Sequence, residues 1–318
     1  MFKNFRLVIS FPNFEVKFIG EIMQDFNLTG SIVAIATPFK ANGEIDVDAF
    51  DHLIDFHLEN GTDGIVVCGT TGETPALTGD EDAFLIERTV KKVGGKIPVI
   101  AGSGSNSTEE CIRYSRKAEA IGVDAVLVVG PYYNKPTEKG MYQHFATVAD
   151  AIDVPIVLYN VPSRTGSNIS VDTAIKLANN FDNIVGIKEA SGDLTLFAEL
   201  IAKRPEGFKI YSGDDFLSAP ANLIGADGCI SVIANIIPQD FAKLMKDSME
   251  GDVAEVNKLF YQYRDLMDLL FIESNPIPVK TALAAMGLLE EEFRLPMCTM
   301  EDANKELLLN EMKKQGII

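Results

Sequence analysis

In the run IVGIKEA, residues 184–190, one lysine, Lys188, ends an otherwise apolar stretch. A strand buried on both faces reads as a continuous apolar run, and a lysine is almost never fully buried there unless it is paired or used. Taking an ammonium out of water disfavours its charged form, which makes a lysine a nucleophilic amine near neutral pH. A strand-end lysine snorkelling to solvent gives the same local pattern, so this stretch alone leaves both readings open. GTTGE, residues 69–73, offers glycines, two hydroxyls (Thr70 and Thr71) and backbone N–H groups suited to a carboxylate or another small anion. PYYNKP, residues 131–136, supplies Tyr132 and Tyr133, while Tyr159, Asn160 and Arg164 lie in YNVPSRTG, residues 159–166. Tyrosine passes protons, and arginine grips a carboxylate with two parallel hydrogen bonds. Packing aromatics, a surface ion pair and a plain turn are the structural alternatives for these three groups.

These residues need a scaffold, and the chain alternates in a way that supplies one. Apolar, β-branched runs recur as SIVAIATP from Ser31, GIVVCG from Gly64, IPVIAG from Ile97 and AVLVVGP from Ala125. PIVLYN from Pro155, IVGIKEA from Ile184, KIYSGDD from Lys209 and GCISVIAN from Gly228 bring the number to eight. Between them lie helical periodicities such as Val47, Phe50, Leu53, Ile54 and His57, or Phe84, Ile86, Val90 and Val93. Thr78 with Glu81 and Ser107 with Glu110 have the spacing of a capping box. Eight strands alternating with helices predict an α/β fold, a (β/α)8 TIM barrel, with a C-terminal helical extension. An open doubly wound sheet is the rival, but its glycine fingerprint is missing after the first strand, where TPFKANG stands instead. The expected organisation is an N-terminal extension over 1–28, a catalytic barrel over 29–250 and a helical region over 251–318. Met23 is a candidate true start, which would leave residues 1–22 outside the protein.

Active sites of such barrels lie at the carboxyl ends of the strands, and this separates the lysines. Lys209 begins its strand, and Lys40 and Lys135 fall in loops. Lys188 sits within a strand near its carboxyl end, which favours the functional reading.

Composition limits the partners. Lysine and arginine number 28 against 46 aspartate and glutamate, and the formal charge of −18 argues against nonspecific binding to nucleic acid or an anionic membrane. No apolar run reaches the roughly 18 residues of a membrane helix. The cysteines Cys68, Cys111, Cys229 and Cys298 match no metal or redox spacing and read as reduced thiols of the cytoplasm. His52, His57 and His144 form no helical ligand pair, so no metal is expected.

Five stretches, GTTGE, PYYNKP, YNVPSRTG, GIKEA and NPIPVK, resemble in order and spacing the dihydrodipicolinate synthase (4-hydroxy-tetrahydrodipicolinate synthase) family, pyruvate-dependent aldolases of lysine biosynthesis. The resemblance runs from Thr29 to the C-terminus. It implies that Lys188 forms a Schiff base with pyruvate, that loss of a methyl proton gives an enamine, and that the enamine attacks aspartate semialdehyde. The cationic Schiff base is itself the electron sink, so the resemblance implies no cofactor. Tyr159 resembles the proton donor and acceptor, linked to Thr70 and to a Tyr133 shared across a dimer interface in a homo-oligomer, a dimer of dimers. Thr71 and Ile230 match positions that hold pyruvate, and Arg164 matches the residue gripping the semialdehyde carboxylate. Asn106, Glu110 and Tyr132 match a lysine-effector site, but Gly79 and Asp82 stand where lysine-inhibited bacterial members of one type carry histidines, which implies weak or absent inhibition. Other pyruvate-dependent aldolases, such as N-acetylneuraminate lyase or a 2-keto-3-deoxy sugar acid aldolase, are the alternative. Arg164 weighs against them, because a polyhydroxylated tail needs neutral partners. A barrel that binds a small acid without turning it over is the alternative of another class.

Overall fold

A computed structural model describes residues 26–318. Eight parallel strands, β1 (Gly30–Ala34), β2 (Gly64–Val67), β3 (Val99–Gly102), β4 (Ala125–Val129), β5 (Ile156–Asn160), β6 (Ile184–Glu189), β7 (Lys209–Ser212) and β8 (Gly228–Ser231), close in sequence order. β8 pairs back to β1, with Ile230 opposite Ile32. The strands follow the eight apolar runs because burial on both faces demands such composition. Alternate residues point in and out. Ile32, Val66, Ile100, Leu127, Val157 and Tyr211 fill the interior, and Val33, Ile65, Ala101, Val128 and Leu158 pack outward.

Outward residues meet the helices that follow each strand: α1 (Val47–Glu59), α2 (Gly79–Val93), α3 (Thr108–Ile121), α4 (Glu138–Ala149), α5 (Val171–Asn180), α6 (Leu194–Lys203), α7 (Asp215–Leu223) and α8 (Pro238–Glu250). Beyond them lie α9 (Val253–Leu269), α10 (Ile277–Ala285) and α11 (Asp302–Lys314). In α1 the expected residues Phe50, Leu53, Ile54 and His57 are buried. In α2 the stripe differs from expectation: Leu85, Ile86, Thr89 and Val93 face the barrel, while Phe84 is 40% exposed. A large apolar residue one position off the stripe attracted the reading more than the threonine on it. Thr78 and Glu81 form a reciprocal capping box at the start of α2. At α3 only half of the expected box exists. Ser107 accepts from the Glu110 N–H, but the Glu110 carboxylate accepts from Ser105 Oγ at 3.2 Å instead.

The amino-terminal end of the barrel is closed from below. Phe26 and Leu28, assigned by the sequence reading to the extension, are buried in the interior cluster, and the Tyr211 hydroxyl donates to the Leu28 carbonyl at 2.8 Å. Residues 1–25, which hold most of that extension and Met23, lie outside the described residues. No helix among the described residues is long and apolar enough to cross a membrane.

Candidate active site

Strand β6 aims the lysine. Its alternation starts with Ile184 outward and Val185 inward, which would send residue 188 outward. The register against β5 slips here, from Ile156 opposite Ile184 to Val157 opposite Gly186, so the strand gains one residue. A bulge of this kind reverses the facing of everything downstream. Ile187 then faces the helices, Lys188 the barrel interior and Glu189 the outside. Gly186 permits it, because a Cβ there would lie 2.7 Å from the Lys209 carbonyl oxygen. On the other flank, a Cβ on Gly213 would sit 2.6 Å from Lys188 Cε, so glycine leaves the lysine its room.

Lys188 is only 6% exposed, and its Nζ lies 4.4 Å from the centroid of the Tyr159 ring. The two residues stand opposite one another in the β5–β6 ladder. Outward of them, the next pair, Asn160 and Glu189, is joined side chain to side chain at 2.8 Å. Asn160 Oδ1 accepts from the Ile169 N–H and Glu189 Oε1 from the Ser191 N–H, at 2.9 and 2.7 Å. Burial raises the Glu189 carboxyl above its usual range, opposed by these donors.

Lys188 lines a cavity of about 410 Å³ at the carboxyl ends of the strands, with Thr70, Thr71, Tyr159, Arg164 and Asn275. Met267, Asp268 and Phe271, at the end of α9 and just beyond, form part of its wall. Thr70 and Thr71 follow β2. Within the turn the Gly72 N–H donates to the Gly69 carbonyl and the Glu73 N–H to the Thr70 carbonyl, while among the described residues no backbone acceptor takes the Thr70 or Thr71 N–H. Two free amides beside two hydroxyls suit a small carboxylate. Arg164 sits in the single-turn helix Pro162–Thr165 after β5, and its Nη2 donates to the Asn275 carbonyl at 3.3 Å.

Asn275 is a site residue that the sequence reading missed. It is 5% exposed, donates through Nδ2 to Thr71 Oγ1 at 3.0 Å, and its Oδ1 has no partner among the described residues. It belongs to the NPIPVK run, but nothing local shows that a residue 204 positions from Thr71 reaches it. Two expected residues, Ile230 and Tyr133, stand apart from the cavity lining. Ile230 is wholly buried in the barrel interior, which leaves only its backbone to serve a ligand. No hydrogen bond joins Tyr159 to Thr70, although both line the cavity. Tyr133 is 89% exposed with φ of 70° and does not line the cavity that holds Lys188.

A second cavity of about 510 Å³ adjoins the first, sharing Thr70, Leu127, Tyr159 and Arg164. Glu110 and Tyr132 line it, as do Gly79 and Asp82, whereas Asn106 does not. Burial pushes the Asp82 carboxyl up to about 6, and its Oδ1 has no partner among the described residues.

A closed (β/α)8 barrel hosts many unrelated functions, so the fold alone does not fix the family. The model of the dihydrodipicolinate synthetase family matches residues 27–315. The chain belongs to this family. Among curated relatives, the 4-hydroxy-tetrahydrodipicolinate synthase of Aquifex aeolicus is 48% identical over 288 residues, 91% of this chain and 98% of that protein. The enzyme of the same name from Thermodesulfovibrio yellowstonii is 50% identical, covering 91% and 99%. The crystal structure of dihydrodipicolinate synthase from Aquifex aeolicus superposes with a TM-score of 0.89 at 47% identity, over 91% of this chain and 98% of that one. The synthase from Thermotoga maritima gives 0.90 at 41%, over 92% and 100%. The expected barrel and the expected family are therefore both found.

Proposed function

We propose that the cavity at the mouth of the barrel condenses pyruvate with L-aspartate 4-semialdehyde through a Schiff base on Lys188, giving 4-hydroxy-tetrahydrodipicolinate on the diaminopimelate route to lysine. This makes the protein a lyase of the aldolase type. The observation carrying this reading is the bulge-inverted Lys188, held against the Tyr159 ring in a cavity that has an anion cradle on one side and Arg164 on another.

The Lys188 Nζ attacks the pyruvate ketone carbon and water leaves, forming an iminium ion. The Thr70 and Thr71 turn holds the pyruvate carboxylate, with the Ile230 backbone beside it. Loss of a methyl proton to a base gives the enamine, whose carbon attacks the semialdehyde carbonyl. The new alkoxide takes a proton. Tyr159 moves these protons, with Thr70 and a neighbouring subunit's Tyr133 completing its relay. Arg164 holds the semialdehyde carboxylate with parallel hydrogen bonds. The amino group of the adduct then attacks the imine carbon and expels Lys188, closing the ring.

The reading includes a homo-oligomer, a dimer of dimers in which Tyr133 crosses the dimer interface; its exposure and left-handed backbone support this. Mixing inactive Lys188→Ala and Tyr133→Phe subunits should then restore turnover, and failure after verified subunit exchange would remove the shared tyrosine. The barrel over 29–250, the helical region over 251–318 and a cytoplasmic location belong to the same reading. Asn106, Glu110 and Tyr132 are the effector-site residues of this reading, of which Glu110 and Tyr132 line the second cavity, and lysine inhibition is weak or absent. Half-inhibition well below millimolar lysine would overturn that. The reaction itself is tested by coupled turnover: activity with aspartate semialdehyde is expected, and activity only with a polyhydroxylated 2-keto acid would move the assignment to the sugar-acid aldolases.

A further inference from the structure

A second lysine is buried even more deeply than Lys188. Lys280, in α10, is 0% exposed and lines neither cavity at the barrel mouth, so no ketone reaches it. Its Nζ bonds Glu73 Oε1 at 2.5 Å, and the ammonium lies 4.4 Å from the Phe39 ring centroid and 4.8 Å from that of Phe293. Glu73 ends the GTTGE turn with φ of 53°, in the left-handed region that costs a non-glycine residue energy unless its surroundings enforce it. Its N–H closes the turn on the Thr70 carbonyl at 3.1 Å. Its carboxylate points away from the cavity, and Oε2 also accepts from the Arg294 N–H at 3.2 Å.

Burying two charges costs more than their attraction commonly returns, and an apolar pair of similar volume would serve stability as well. The pair's position suggests another role. It pins the end of the turn whose N–H groups and hydroxyls face the cavity, and it does so from the same C-terminal segment that places Asn275 on Thr71 Oγ1.

We infer that the buried Glu73–Lys280 pair is a positioning device: through it, α10 holds the left-handed Glu73 and so sets Thr70 and Thr71 for the carboxylate of pyruvate. The inference rests on the proposed pyruvate reaction. Neither residue touches substrate, so neither is catalytic.

The test is the double variant Glu73→Gln/Lys280→Met, which removes both charges without leaving one buried alone, compared with the native chain by borohydride trapping and steady-state kinetics. The expected result is a rise of about tenfold in the pyruvate concentration for half-maximal trapping, with the semialdehyde KM and the kcat at saturating pyruvate changed less than about threefold. A purely structural role would lower the amount of active enzyme and leave both KM values alone, and that result overturns the inference. If the double variant does not fold, Phe293→Leu keeps both charges and removes one ring from the ammonium. It should raise the pyruvate half-saturation about threefold, and no rise would overturn the inference. If the native chain itself shows no trapping with pyruvate, the proposed reaction fails, which is a distinct outcome from an unaffected variant.

Discussion

At Gly186 a single missing Cβ decides which way Lys188 faces. Without the slip between β5 and β6, Lys188 would point into the helical layer, where Ile184 and Ile187 pack. Gly186→Ala must push against the Lys209 carbonyl at 2.7 Å, and backbone cannot yield as a flexible side chain would. The expected outcome is a fall of roughly 100-fold or more in kcat/KM for pyruvate, as for a misplacement of about 1 Å at a reacting group, in a protein that still folds by circular dichroism. The residue type of Lys188 and its place near the strand's end were legible in the sequence. The bulge was not, because a glycine inside an apolar run signals either a bulge or a close backbone approach without saying which face results. Asn275 was illegible for a different reason: only the closed fold brings it to Thr71.

Two elements carry the central pair, and their mutual register is fixed by the side chains on their far side. Asn160 and Glu189 bridge β5 to β6 one residue beyond Tyr159 and Lys188, with Asn168, Ile169 and Ser191 as further partners. Removing the carboxylate leaves buried donors without acceptors, a loss of about 1–3 kcal/mol. Glu189→Ala is therefore expected to lower stability by that amount and kcat by roughly tenfold with little change in the pyruvate KM, while Glu189→Gln, keeping one acceptor, loses less. Denaturant unfolding with parallel kinetics checks this; equal loss in both variants would contradict it. Element identity was well marked in advance: seven strands fall within their apolar runs, β1 begins one residue before its run, and the buried face of α1 follows the periodicity. What failed was finer: Thr89 rather than Phe84 lies on the buried stripe of α2, and Glu110 bonds Ser105 rather than completing its box. Both are choices among near neighbours that tertiary packing makes, not local pattern.

Across the molecule, the C-terminal region works as more than an appendage. Arg294 holds Glu81, in the first turn of α2, at 2.6 and 2.9 Å and also the Gly43 and Ala76 carbonyls, tying the β1–α1 loop to the β2–α2 connection and to α2 itself. The Arg294 guanidinium draws the Glu81 carboxyl down to about 2. Stability from that contact is present above the unfolded carboxylate's pKa and is lost only as pH falls toward 2. His57 responds earlier. Complete burial lowers its folded pKa to about 3, so the unfolded chain binds a proton that the folded chain refuses as pH drops below the ordinary value near 6.5. The stability His57 contributes is full above that value and is lost progressively toward 3, by about 2 kcal/mol at pH 5. His57→Gln should accordingly lose about 2 kcal/mol less than the native chain between pH 7 and 5 in urea unfolding; identical pH slopes would contradict the assignment.

The proposed chemistry begins with one bond, between Lys188 Nζ and the ketone carbon of pyruvate. Intact-mass analysis after borohydride reduction with pyruvate, on the native chain and on Lys188→Ala, measures it directly. One reduced pyruvate adduct on the native chain and none on the variant is the predicted result. An adduct on both chains, or on neither, would contradict it.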